Sequence, residues 1–160
     1  MAAALIRPMK ERDVDFLARL RSDAFFEGSD RAVEEDAEGL RQLLLDGRFE
    51  IALVAELGDV VIGSGLFIRQ ELEPAHDLTP WLAGLVVAPE HRGRGVGRSL
   101  VRAVEAHALS AGAAELYLYT SEAKDFYAAL GWQAIETFRQ NGQPMMLMSR
   151  QLAGERQWPR

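Results

Sequence analysis

The stretch Trp81-Leu82-Ala83-Gly84-Leu85-Val86-Val87-Ala88-Pro89-Glu90-His91-Arg92-Gly93-Arg94-Gly95-Val96-Gly97-Arg98 passes from an apolar strand, through a glycine- and arginine-rich loop, into an amphipathic helix. Leu85, Val86 and Val87 are the strand's buried end, and Pro89 stops it because it cannot donate to a ladder. Beyond the loop, apolar residues recur at Val96, Leu100, Val101, Val104, Ala108 and Ala111, which is helical spacing. Gly93, Gly95 and Gly97 keep the loop free of side chains, so backbone N–H groups at the helix start can close on an anion. The helix dipole and the charges of Arg92, Arg94 and Arg98 favour the same ligand. Strand, anion nest and helix in that order make a phosphate cradle.

Two common cradles do not fit. A Walker loop needs Gly-x-x-x-x-Gly-Lys followed by Ser or Thr, which is absent. A dinucleotide fingerprint needs Gly-x-Gly-x-x-Gly, and from Gly93 the sixth position is Arg98. What fits is Arg92-x-x-Gly95-x-Gly97 after Leu-Val-Val. Here the chain resembles the GNAT superfamily of acyl-CoA-dependent N-acyltransferases, whose pyrophosphate loop reads Arg/Gln-x-x-Gly-x-Gly/Ala. A second segment carries the same resemblance. Glu115 to Thr120 reads as a strand and Glu122 to Leu130 as a short helix capped by Gly131. Ala123, Tyr127, Gly131 and Trp132 stand at the offsets of the family's Ala-x-x-x-Tyr-x-x-x-Gly-aromatic motif.

Composition agrees with one domain. The chain has 160 residues, 48% of them hydrophobic and 26% charged, in the range of globular proteins. Zero cysteines exclude disulfides and thiolate chemistry. No apolar run approaches the ~20 residues of a membrane span. The apolar part of the N-terminus is short for a secretory signal. A cytoplasmic protein is the simplest reading. Residues 1–80 hold nine Lys and Arg against seventeen Asp and Glu, and residues 81–160 hold nine against seven, giving −8 and +2 within the net −6. One local basic patch on an acidic chain argues for a small phosphorylated ligand rather than a nucleic-acid backbone.

A pass along the chain predicts a single domain over residues 1–152 and a polar tail over 153–160. A short strand at Leu5 to Arg7 is followed by helices over Glu11 to Phe25 and Ala32 to Asp46. A hairpin, Glu50 to Leu57 and Val60 to Arg69, turns at Gly58-Asp59. A polar loop over Glu71 to Thr79 leads to the cradle. A last hairpin, Trp132 to Arg139 and Pro144 to Leu152, turns at Asn141-Gly142. The resemblance implies an α/β fold: a mixed, largely antiparallel twisted sheet of about seven strands flanked by helices, with strands four and five splayed to admit CoA.

It also implies roles. Acetyl-CoA would be the co-substrate and a primary amine of a small molecule or peptide the acceptor, by direct attack on the thioester. Backbone groups of Leu85, Val86 and Val87 would meet the pantetheine, and one amide would polarise the thioester carbonyl. The amides of Arg92, Gly93, Arg94, Gly95, Val96, Gly97 and Arg98 would hold the pyrophosphate. Thr120 stands where relatives carry an Asn that contacts pantetheine or a water. Tyr127 would be the general acid for the departing thiolate, since a phenol of pKa ~10 stays protonated at neutral pH.

The base is open. Trp81 to Val87 carries no carboxylate, leaving Glu71, Glu73, His76 and Asp77, or Glu27 and Asp30, through water. Phe25-Phe26-Glu27-Gly28-Ser29-Asp30 reads either as acceptor-pocket lining or as a helix-end staple that buries one phenylalanine. Trp81 is pocket wall or core. His91, expected at the surface, and His107 lack metal spacing, so no metal is expected. Met145, Met146 and Met148 read as core. No nucleic acid or membrane partner is expected, and a homodimer is left open. The alternative function is a non-catalytic acyl-CoA-binding module, against which Tyr127 counts because a sensor needs no leaving-group acid.

Overall fold

The computed structural model describes residues 3–25, 30–46, 49–69 and 77–152. Its elements are β1 (Leu5–Pro8), α1 (Val14–Phe25), α2 (Asp30–Asp46), β2 (Ile51–Leu57), β3 (Val60–Ile68), β4 (Trp81–Val87), α3 (Val96–Ser110), β5 (Glu115–Thr120), α4 (Lys124–Ala129), β6 (Gln133–Gln140) and β7 (Gln143–Gln151). The seven strands form one sheet in the order β1-β2-β3-β4-β5-β7-β6. Every neighbouring pair is antiparallel except β4 and β5. A parallel pair needs a crossover, and α3 supplies it. Both hairpins turn where the sequence places them, Asn141 and Gly142 each in the left-handed region with φ of 52° and 79°, as a two-residue turn requires.

The parallel pair is brief. Trp81 aligns with Tyr117, whose N–H donates to the Pro80 carbonyl at 3.1 Å, and there the pairing ends. The cause lies on the other edge of β4. Gly84 and Leu85 together stand opposite Gly65, a bulge between the Ser64 and Leu66 pairings. Gly84 takes φ of 60°, a conformation glycine adopts without strain. A bulge bends the strand that carries it, so β4 leaves β5 and a wedge opens towards the anion loop. This is the expected splay of strands four and five.

The sheet is covered on both faces. On one, Leu100, Val101, Val104 and Ala108 of α3 are fully buried; most of them pack with Phe67, Leu82, Leu116, Leu118 and Tyr127. On the other, Val14, Leu17 and Ala18 of α1 and Ala37 and Leu40 of α2 pack on Val54, Leu66 and Ala83. Met148 is fully buried, in line with the core reading of the methionine run.

Several element ends differ from the sequence reading by one or two residues, and two helix starts differ for a side-chain reason. Glu11–Asp13 form a 3-10 turn rather than the start of α1. Asp13 accepts from Arg7 at 2.8 and 3.1 Å and from the Lys10 N–H at 2.7 Å, which tightens that turn. The expected helix from Glu122 begins only at Lys124, because the Thr120 hydroxyl accepts the Ala123 N–H at 3.0 Å and holds a turn before it. Among the described residues no helix is long and apolar enough to cross a membrane. The tail over 153–160 lies outside the described residues.

Candidate active site

The anion loop is built by backbone geometry. Pro89–His91 make one 3-10 turn, and Gly93 and Gly95 follow with φ of 78° and 85°. Gly95 caps α3 in the left-handed conformation. The first amide that the helix consumes is Ser99, whose N–H donates to the Gly95 carbonyl at 3.0 Å. The N–H groups of Val96, Gly97 and Arg98 precede it and have no intrahelical acceptor. Three directed donors at the positive end of a fifteen-residue helix, with Arg92, Arg94 and Arg98 exposed around them, suit a diphosphate. Arg92 is partly spoken for: its N–H donates to Pro89 O at 3.3 Å and its Nε to Val87 O at 2.9 Å. It therefore shapes the loop against the end of β4, and the Val87 carbonyl is already engaged. Val96 contributes only its amide, since its side chain is buried.

The wedge joins this loop to α4. A Cβ placed on Gly97 would lie 3.5 Å from Phe126 Cζ, 3.7 Å from Val87 Cγ2 and 3.9 Å from Leu85 Cδ2. The helix N-terminus, the end of β4 and Phe126 of α4 thus converge on one place. Tyr127, next to Phe126, is buried with 7% of its surface exposed, and burial alone pushes its phenol up to about 12. It stays protonated throughout the physiological range. The Thr120 hydroxyl oxygen is occupied by the Ala123 amide, so Thr120 braces the entrance of α4. A model of the acetyltransferase (GNAT) family matches residues 14–132, a span that contains the loop, the wedge and the Tyr127 motif.

The chain belongs to the GNAT family. It is 32% identical to thialysine N-epsilon-acetyltransferase of Bos taurus over 97% of this chain and 100% of that protein. Its fold is that of the phosphinothricin acetyltransferase of Sinorhizobium meliloti, solved in complex with acetyl-CoA (TM-score 0.78, 17% identity, 94% and 89% of the two chains). The ribosomal-protein-alanine N-acetyltransferase of Brucella melitensis is similar (TM-score 0.76, 23% identity, 92% and 99%). The protein is a GNAT N-acetyltransferase that uses acetyl-CoA, and the open amides of the α3 N-terminus fit that co-substrate's diphosphate.

Other GNAT-site candidates sort as follows. Asp77 is exposed just before β4. Glu27, Glu71, Glu73 and His76, with Phe26 to Ser29, lie outside the described residues, as does the Asp30 side chain. Phe25 is 44% exposed and is not a buried staple. His91 is half-buried rather than exposed. His107 Nε2 is 3.0 Å from the Phe49 carbonyl and its ring packs on Phe67, a core role. Trp81 is core at 1% exposure, its indole donating to Leu78 O at 2.8 Å. It heads an aromatic group with Tyr117, Tyr119 and Phe138.

Sequence reasoning missed the clamp behind Tyr127. The Glu105 carboxylate, nearly buried in α3, accepts the Trp132 indole N–H at 3.0 Å and Arg102 Nη1 at 2.9 Å, with Arg150 Nε at 3.7 Å. Arg150 Nη1 in turn donates to the Gly131 carbonyl at 3.1 Å and fills the space of a Cβ there. The Trp132 N–H returns to the Tyr127 carbonyl at 3.1 Å, and the two rings meet edge-on. The clamp ties the end of α4 to α3 and β7. The signal was a glutamate four residues after Val101 and three before Ala108, on the helix's apolar stripe.

Proposed function

We propose that the protein transfers the acetyl group of acetyl-CoA to a primary amine of a small molecule or peptide by direct attack of the amine, with Tyr127 as general acid. The observation that supports this most is the convergence of α3, β4 and α4 at Gly97, Val87 and Phe126. The Val96, Gly97 and Arg98 amides would hold the diphosphate, and main-chain groups of Leu85, Val86 and Val87 along the edge of β4 would align the pantetheine, apart from the Val87 carbonyl that Arg92 Nε already engages. An amide at the bulge would meet charge developing on the thioester oxygen, a role that fixed backbone dipoles perform without reorganising. Tyr127, held by the Trp132 clamp, would deliver its proton to the leaving sulfur, while water takes the proton that the attacking amine releases and solvent reprotonates the phenolate. The bovine relative, by its name, acetylates an ε-nitrogen, consistent with an amine acceptor.

Thiol release from acetyl-CoA with a panel of amines tests the reaction, and Tyr127→Phe tests the acid. The variant keeps the ring and its packing, so acetyl-CoA affinity holds while kcat falls roughly 10²-fold or more, as for loss of a general acid. Equal loss of affinity and rate would make Tyr127 a binding residue. Undiminished kcat would remove it from the mechanism.

A further inference from the structure

The bulge of β4 faces α1, and the group it meets there is Arg21. Arg21 retains only 8% exposure. Its Nε and Nη2 hold Asp36 of α2 at 2.7 and 3.1 Å, and its guanidinium lies 5.7 Å from the Phe25 ring centre. The third nitrogen, Nη1, is buried with no hydrogen-bond partner among the described residues. It occupies the space that a Cβ on Gly84 would fill. An arginine placed only to neutralise Asp36 has no need to bury a bare N–H, and such orphans are rare because desolvation is uncompensated.

Its position gives that donor a use. Tyr127 and α3 lie on one face of the sheet, so in the proposed reaction the thiol leaves on that face and the amine approaches from the other. Arg21 is on that other face, against the residue that precedes Leu85 at the wedge. Ser22 Oγ and Ser64 Oγ, both fully buried, also have no hydrogen-bond partner among the described residues. Ser22 follows Arg21 in α1. Ser64 faces the same layer, because Gly63 and Gly65 on either side of it turn towards Leu100 and Val104 of α3. Beside the Arg21–Asp36 pair, the layer next to the bulge therefore holds three buried groups with no hydrogen-bond partner among the described residues, Arg21 Nη1, Ser22 Oγ and Ser64 Oγ.

We propose that Arg21 Nη1 binds a carboxylate of the acceptor, so that the substrate is an amino acid carrying that carboxylate near its nucleophilic amine, and not a polycation. The inference rests on the amine-acetylation reading above. A guanidinium edge already oriented by Asp36 is fixed in advance for a second oxyanion, and charge-assisted bonds of this kind are the strong ones. A site built around such a donor also rejects analogues that leave it unpaired.

The test compares matched acceptors by thiol release: lysine, lysinamide and 1,5-diaminopentane, with alanine and alaninamide. The wild-type protein should prefer each acid over its amide by roughly tenfold or more in kcat/KM, and the diamine should be poorest. Arg21→Met combined with Asp36→Leu avoids burying an unpaired carboxylate. In that variant the KM for the acid should rise roughly tenfold and the acid-to-amide ratio should fall to about one. A preserved thermal shift with acetyl-CoA shows that the variant is folded. Equal use of acid and amide by the wild type overturns the proposal without any variant, as does an acid preference that survives the double substitution. No thiol release with any amine overturns the proposed function itself, and this inference with it.

Discussion

Alanine at Gly95 and alanine at Gly97 should have opposite effects on stability, although the two glycines are two residues apart in one loop. Gly95 sits at φ of 85°, and a Cβ there would meet no heavy atom within 4 Å. The whole effect of Gly95→Ala is then conformational. Holding an L-residue in the left-handed region costs roughly 1–2 kcal/mol, offset by about 0.4–1 kcal/mol from the stiffer unfolded chain, a net loss near 1 kcal/mol. Gly97 has ordinary helical geometry, and its added Cβ would find Phe126 and Val87 at 3.5 and 3.7 Å, normal contact distances. Alanine is the better helix former by up to about 1 kcal/mol, so Gly97→Ala should be neutral or gain about 0.5 kcal/mol. Urea unfolding of both variants without ligand measures the gap. At roughly 2–4 °C per kcal/mol for a chain of this size, melting temperatures should differ by about 2–6 °C. The contrast also accounts for a loop pattern that admits alanine at the place of Gly97 but not of Gly95. Equal stabilities, or a larger loss at Gly97, would refute the assignment of Gly95 to the left-handed cap.

Three further outcomes are expected. Acetyl-CoA should raise the melting temperature by mass action, about 2.7 kcal/mol at a hundredfold excess over Kd, and Gly95→Asp should abolish that shift in a thermal melt by placing a carboxylate among the diphosphate donors. Trp132→Phe removes the indole donor to the nearly buried Glu105 carboxylate and should cost about 1.5–3 kcal/mol in urea unfolding; a loss below 0.5 kcal/mol would mean the clamp is not strained by its absence. The Arg7 guanidinium holds Asp13 below the usual carboxylate range, so the stability Asp13 contributes is complete above pH ~4 and is lost as the pH falls through its lower folded value. Asp13→Asn should flatten that part of the acid limb of the urea midpoint, and an unchanged limb would place the acid sensitivity elsewhere.

Much of the fold was legible because its cues are local. The hairpin turns, the strand that Pro89 stops and the α3 periodicity each sit within a few residues of what they determine. What misled was interaction across the chain. Asp13 turns the start of the first helix into a 3-10 turn through Arg7 on β1, and Thr120 delays α4 by a side-chain bond that propensity does not register. The geometry of the candidate co-substrate loop was legible for a related reason. The loop is made largely of main chain, with Gly93 and Gly95 in the left-handed region, and such loops leave a trace in glycine, whose lack of a side chain is the requirement itself.

The acceptor half proposed above would be made of side chains from separate elements, so no motif spells it out. Arg21 and Asp36 are fifteen residues apart, on different helices, and read singly as solvated charges. Yet Arg21 stands on the stripe Val14, Leu17, Ala18, Arg21, Ser22, all buried, just as Glu105 stands on that of Val101, Val104 and Ala108. A charge on an apolar stripe is carried inward by the helix and must be satisfied there. Glu105 is met by Trp132, Arg102 and Arg150 and completes a structural clamp. Among the described residues Arg21 is hydrogen-bonded by Asp36 on one edge only, and its Nη1 lies against Gly84 at the bulge where the strands part. That difference in satisfaction, rather than burial as such, is what separates the Glu105 clamp from the substrate role proposed for Arg21.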